Sequence, residues 1–233
     1  MNASRWVRPT LVTRAAAVAS VSALAMTAGF LVVRYTALPD LLVVHFMGNG
    51  VPNGWQYKTW PRVLMPVFIQ SALMVTLGLV AALLLSRPHG DHDAHAPDVR
   101  AAAIAAETVA LLASIWILVQ AYGAFAITRM WERQIPRLDG FGLVEVVGFV
   151  LTTGVAVRAH LRLGRPEPRP FVPEHWRYGQ LYNNPADPAL FVPTRNGARW
   201  TLNFGRPVAA ALMGVILVIG IVAPALILVL SLR

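Results

Sequence analysis

Three groups of residues carry side chains able to do chemistry. Pro39, Asp40, His45, Phe46, Gly50, Trp55 and Lys58 fall within the stretch 37–60. An imidazole, a carboxylate and an ammonium at such short spacing either form a site or belong to a structured turn at a membrane surface, the plainer reading. Glu107 and Glu145 lie within long apolar runs. A charge in a membrane span is costly, by roughly 2.5–3.5 kcal/mol on insertion scales, and usually faces the bundle interior. One reading makes the two glutamates proton or cation sites. The plainer and favoured reading pairs Glu107 with an arginine near a membrane interface and lets Glu145 reach water. Arg100, Glu107 and Ser114 recur every seven residues, so they share one helix face. His89, Asp91, His92, Asp93 and His95 form the third group, with donors that zinc or nickel accepts. Their spacing fits neither a zincin helix nor a finger, and flanking Pro and Gly point to a solvated linker, so no metal is expected. No P-loop, H-E-x-x-H or G-x-S-x-G occurs. The expectation is therefore no catalytic residue, no enzyme activity and no cofactor.

Membrane helices must position these groups. Of 233 residues, 56% are hydrophobic and 13% charged, about half the charged share of a soluble domain. Five apolar runs, 15–33, 63–85, 101–128, 140–157 and 207–230, come close to or exceed the roughly 20 helical residues that cross a hydrocarbon core of about 30 Å. Arg5, Arg8 and Arg14 ahead of the first run suit a signal peptide. The apolar stretch continues to Val33, longer than a signal core, so an anchor is expected. No cysteine is present, which excludes disulfides and thiolate metal sites. Lys58 is the single lysine among 20 basic residues. That arginine bias, with abundant alanine, points to a bacterial source and a plasma-membrane location. With the N-terminus inside, the inner segments hold 13 of the basic residues and the outer segments 7. The bias predicts an inside N-terminus and an outside C-terminus. Stretches 37–60 and 129–139 then lie outside, and 87–100 and 158–206 inside. The net charge of +9 belongs to this bias; its expected partner is the lipid bilayer with its anionic headgroups, rather than nucleic acid.

Within 37–60, Pro39 disfavours helix at Leu38. Leu41–Phe46 is rich in β-branched and aromatic residues, too short to span, and reads as extended. Gly48-Asn49-Gly50 and Pro52-Asn53-Gly54 read as turns. Trp55, Tyr57 and Trp60 suit an interfacial aromatic belt, with Lys58 and Arg62 as anchors. Bundle neighbours are commonly joined by about 2–8 residues. The extra length predicts a folded cap with His45 at its polar centre and Asp40 or Lys58 as its partner. In 165–206, Asn184-Pro185 and Asp187-Pro188 initiate turns. Asn196-Gly197 suits a hairpin turn that would pair Phe191-Val192 with Trp200-Thr201-Leu202. The interleaved aromatics and arginines there could stack on bases, adsorb to a membrane or dock a protein; adsorption is favoured over nucleic acid.

Leu38-Pro39-Asp40, His45-Phe46, Gly50-x-Pro52, Trp55 and Lys58, placed after the first apolar run, resemble the signature of the bacterial Sdp toxin-immunity membrane family. The resemblance covers about the first 85 residues. Val43, Met47 and Asn53 depart from its pattern, which has proline, asparagine and aspartate there. The stretch from His175 to Pro207 resembles a short uncharacterised module on the C-terminal side of related membrane proteins. Its motif positions here are Trp176, Tyr182, Asn184, Pro185, Asp187, Pro188, Trp200 and Asn203.

The expected fold is an all-α polytopic membrane protein of about five helices. A four-helix membrane domain covers 1–161, a turn-rich cytoplasmic insert 162–206, and a last helix 207–233. The first resemblance implies a sensor or immunity protein. An outer loop would contact an extracellular peptide ligand through Pro39, Asp40, His45, Phe46, Gly50, Trp55 and Lys58, and the module would contact a cytoplasmic protein partner. The alternatives are an ion- or proton-coupled transporter using Glu107 and Glu145, and a structural subunit of a membrane complex.

Overall fold

A computed structural model of the chain describes residues 6–47, 50–86, 97–134, 140–166 and 169–218. The histidine cluster at 89–95 and the second half of the apolar run 207–230 lie outside the described residues. The chain is mostly helical: α1 Leu11–Arg34, a short α2 Trp60–Val63, α3 Met65–Leu85, α4 Pro97–Arg133, α5 Phe141–Leu163 and α6 Pro207–Leu217. Four of these, α1, α3, α4 and α5, are long and apolar enough to cross a membrane. α1 ends where expected, in a 3-10 turn at Tyr35–Ala37 followed by extended Leu38 before Pro39. α6 opens with Pro207 at its first position, where the missing N–H is no loss.

The helices outrun their apolar segments for a physical reason. α4 continues past Thr128 because Trp131 and Glu132 find partners: the Trp131 indole N–H donates to the Val43 carbonyl at 2.9 Å, and Glu132 lies 3.5 Å from Arg34. α5 continues past Val157 because Arg158 and Arg162 reach Glu107.

The chain is not all-α. Among the described residues it carries three two-stranded antiparallel sheets: β1 Leu41–Phe46 with β2 Pro52–Tyr57, β3 Trp176–Arg177 with β4 Leu181–Tyr182, and β5 Phe191–Pro193 with β6 Trp200–Leu202. The last pairing follows the register expected around Asn196-Gly197. The first departs from expectation, since Pro52-Asn53-Gly54 is strand rather than turn. The reversal instead uses Gly50, at φ +80°, with Met47 N–H donating to the Val51 carbonyl. Irregular register between Val43 and Phe46 sets His45 opposite Gly54. A Cβ at 54 would sit 2.9 Å from the His45 Cβ, so glycine serves a close strand approach here.

Packing divides the chain into two compact units. One comprises Leu11–Gly78 and Ala110–Ala156. Its core gathers Leu31, Leu38, Leu42, Val63, Ala124 and Trp131, so the first hairpin is fastened to helix ends by apolar packing as well as by the Trp131 hydrogen bond. Gln70 is buried there, its amide donating to the Ile117 carbonyl at 3.0 Å and the Thr27 hydroxyl at 3.2 Å. The other unit comprises Met1–Thr10, Leu79–Val109 and Val157–Arg233. Val7, Val80, Leu84, Ala102, Ala106, Leu190 and Leu212 form its core. The Val7 N–H donates to the Leu85 carbonyl at 2.8 Å. The Asp98 carboxylate, at the start of α4, accepts the Phe191 N–H at 2.7 Å and so ties the module to a helix.

Candidate functional site

The 37–60 segment is a folded hairpin braced at its open end. Lys58 donates Nζ to the Leu38 carbonyl at 2.7 Å, lies 3.6 Å from Asp40 Oδ1, and sits 5.3 Å above the Tyr35 ring. Tyr35 stacks on Trp60 with centroids 3.7 Å apart. The Arg62 guanidinium reaches back to the Gln56 side chain at 2.5 Å and the Tyr57 carbonyl at 2.6 Å. His45 pairs through Nδ1 with the Asn53 side chain rather than with Asp40 or Lys58. The register explains this: His45 lies opposite Gly54, next to Asn53, whereas Asp40 precedes the strand and meets Lys58 at the hairpin base. Phe46 and Val43 turn to the core; Leu41, Val44, His45, Trp55 and Tyr57 remain exposed. The result is a braced support with an aromatic and apolar outer surface and an imidazole–amide pair on it.

Glu107 is 1% exposed. One carboxylate oxygen accepts the Thr10 hydroxyl at 2.6 Å; the other meets Arg158 at 2.5 Å and also Arg162. Both oxygens are thus occupied by chain groups. Glu145 lies on the exposed face of α5. The i, i+4 spacing of Arg158 and Arg162 at the end of the fourth apolar run was the available signal for the pairing, since i and i+4 share a helix face.

In the module, Asn203 is fully buried and binds five main-chain groups. Its Nδ2 donates to the carbonyls of Asn184 at 2.9 Å, Asp187 at 3.0 Å and Ala189 at 3.1 Å. Its Oδ1 accepts the N–H groups of Asn184 at 3.1 Å and Gly205 at 3.0 Å. A Cβ at Gly205 would lie 2.5–2.7 Å from the main chain of Asn184 and Pro185. Asp187 accepts the Ala189 N–H, the Tyr182 hydroxyl at 2.9 Å and Arg169 at 3.0 Å. Arg206 donates to the Pro188 carbonyl. Residues 185–209 match a family of unknown function, DUF5808. No curated protein and no solved structure shows significant similarity to the chain.

Asp187 and Asn203 within the DUF5808-matching stretch, and Asn184 just before it, serve the module's own hydrogen bonds. Trp176 and Tyr182 pack edge-to-face at 5.3 Å in a small core with Ala189 and Val192. Burial, the largest cause, raises the Tyr182 hydroxyl above its ordinary value of 10.0. Trp200 pairs with Pro193, and its indole nitrogen is enclosed without a hydrogen-bond partner among the described residues. Pro185 and Pro188 are exposed at the turns. A shallow cavity of about 50 Å³ lies among Arg169, Phe171, His175, Trp176 and Arg195, well below the roughly 300–1,000 Å³ of small-molecule sites. Outward-facing groups include Phe171, Arg177, Leu181, Arg195 and Tyr178, the last 93% exposed at φ +51° on the β3–β4 turn. Among the described residues, no group of three His, Cys, Asp or Glu could hold a metal ion.

Proposed function

We propose that the chain is a bacterial plasma-membrane sensor or immunity-type protein, with its N-terminus inside and the 41–57 hairpin outside. The hairpin contacts an extracellular peptide ligand, and the 169–206 module docks a cytoplasmic protein. The observation that carries this reading is the hairpin itself. It is fixed by Lys58, Arg62 and Trp131 yet keeps Leu41, Val44, Trp55 and Tyr57 exposed beside His45. A segment that only joined two helices would need neither the length nor the bracing. Rigid aromatic side chains on a braced support lose little entropy on binding, which suits recognition. On the inner side, contact with a partner falls to Arg177, Tyr178 and Arg195, because the polar motif residues are used internally.

The transporter reading has less support. Glu107 is held by two arginines and a threonine, the arrangement of a structural ion pair, and Glu145 is exposed on α5. The test is protection. Sensitive bacteria expressing the chain are challenged with secreted membrane-active peptide fractions, and survival is compared with that of cells expressing His45→Ala/Trp55→Ala. Protection that the double substitution removes at equal membrane levels is expected. Survival identical with and without the chain, against every fraction, would contradict the reading.

A further inference from the structure

Arg158 and Arg162 stand one turn apart near the end of α5, and both direct Nη1 at the same Glu107 oxygen. Arg100 donates Nη2 to the Arg162 carbonyl at 3.3 Å, which brings a third guanidinium to this end of the helix. One carboxylate therefore meets two guanidinium groups, and a third lies on the main chain of one of them. Two positive charges are left over among the described residues. Charge pairing with Glu107 needs one arginine; the second and third bring like charges together, a repulsion that a bound anion would offset.

Exposure shows where the surplus points. Glu107 is sealed, whereas the Arg158 and Arg162 side chains are 42% and 38% exposed. Each guanidinium has five N–H donors in a planar fork, and only one nitrogen of each is engaged here. The remaining edges can take the oxygens of a phosphate in paired hydrogen bonds. Beside them on α5, Val157 and Leu161 expose apolar side chains. α5 is long and apolar enough to span, so this end of it meets the headgroup layer when it does. Basic pockets between such helices bind anionic headgroups.

We propose that Arg100, Arg158 and Arg162 form a phosphate-binding site, filled by the headgroup of an anionic phospholipid. Glu107 is the site's positioning residue: it holds Arg158 and Arg162 side by side. The site depends on the chain being in a membrane and is independent of the sensor reading.

The test uses the full chain in lipid nanodiscs of phosphatidylcholine with or without phosphatidylglycerol. Thermal midpoint and retained lipid by native mass spectrometry are the readouts. Saturable retention of phosphatidylglycerol and a raised midpoint are expected. Arg100→Gln should weaken retention about tenfold, the loss of one charge-assisted hydrogen bond. Arg100 touches only a main-chain oxygen of its neighbour, so this variant should keep the fold; Arg162→Gln is the second variant, and Arg199→Gln, exposed in the module, is the control that should retain the lipid. Displacement of the lipid by millimolar inorganic phosphate, through the same arginines, would uphold the phosphate site with a free anion as its ligand. Equal midpoints in both lipids with no phosphate effect, or equal weakening by Arg100→Gln and Arg199→Gln, would overturn the proposal and leave only general surface charge.

Discussion

Asn203→Ala should open the module while leaving the helices standing. The amide satisfies two main-chain N–H groups, those of Asn184 and Gly205, and three carbonyls, and it is fully buried. A buried donor stranded without a partner costs about 1–3 kcal/mol. The two N–H groups alone give roughly 2–6 kcal/mol; the carbonyls, each with a second lone pair, add less. Local opening free energies are read by amide hydrogen exchange. A loss of that size corresponds to exchange faster by about 30-fold to 20,000-fold across 184–205. Peptides from 110–128 should be unchanged. Asn203→Asp keeps the shape and the Oδ1 acceptor but turns a carboxylate oxygen toward three carbonyls, so it should be at least as damaging. Protection in both variants within about threefold of the parent would refute the reasoning, because water or a shifted main chain would then be replacing the amide.

Gly205→Ala should destabilise the same segment by at least the roughly 1–3 kcal/mol of an overpacked site, since its new methyl meets main chain that cannot rotate away; exchange over 184–205 again reports it. Glu107→Leu strands two part-exposed arginines and should lower stability by roughly 2–3 kcal/mol, below the loss for a fully buried pair. Glu145→Leu, on an exposed face, should stay within about 0.5 kcal/mol, and thermal midpoints in detergent compare the two. Tyr182 has a folded pKa raised mainly by burial. Its contribution to stability is therefore complete below the unfolded value of about 10 and is lost as pH rises through the folded value. The fluorescence of neighbouring Trp176 should change in that alkaline window in the parent and remain flat in Tyr182→Phe.

The four long apolar helices were legible because an apolar run of membrane length is a local property. Their ends were not: α4 gains Trp131 and Glu132, and α5 gains Arg158 and Arg162, through partners far away in sequence. Leu41–Phe46 could be read as extended from its β-branched residues, but its partner strand was hidden by Pro52, Asn53 and Gly54, residues that usually mark turns. Only the irregular register, which needs the missing Cβ at 54, shows why they sit in a strand. The same register makes Asn53 the partner of His45, where charge alone suggested Asp40 or Lys58. In the module the Asn196-Gly197 hairpin was visible locally. The role of Asn203 was not, since its partners lie on turns and on the last helix approach, joined only by folding.

The proposed topology puts the 41–57 hairpin outside the cell and the 169–206 module inside it. The chain has no cysteine, so single cysteines can be placed at Tyr57 and Gln180, both exposed. Membrane-impermeant maleimide is then applied to intact and permeabilised cells. Labelling at 57 in intact cells, and at 180 only after permeabilisation, is the predicted result. Labelling at 180 in intact cells, with or without 57, would contradict it.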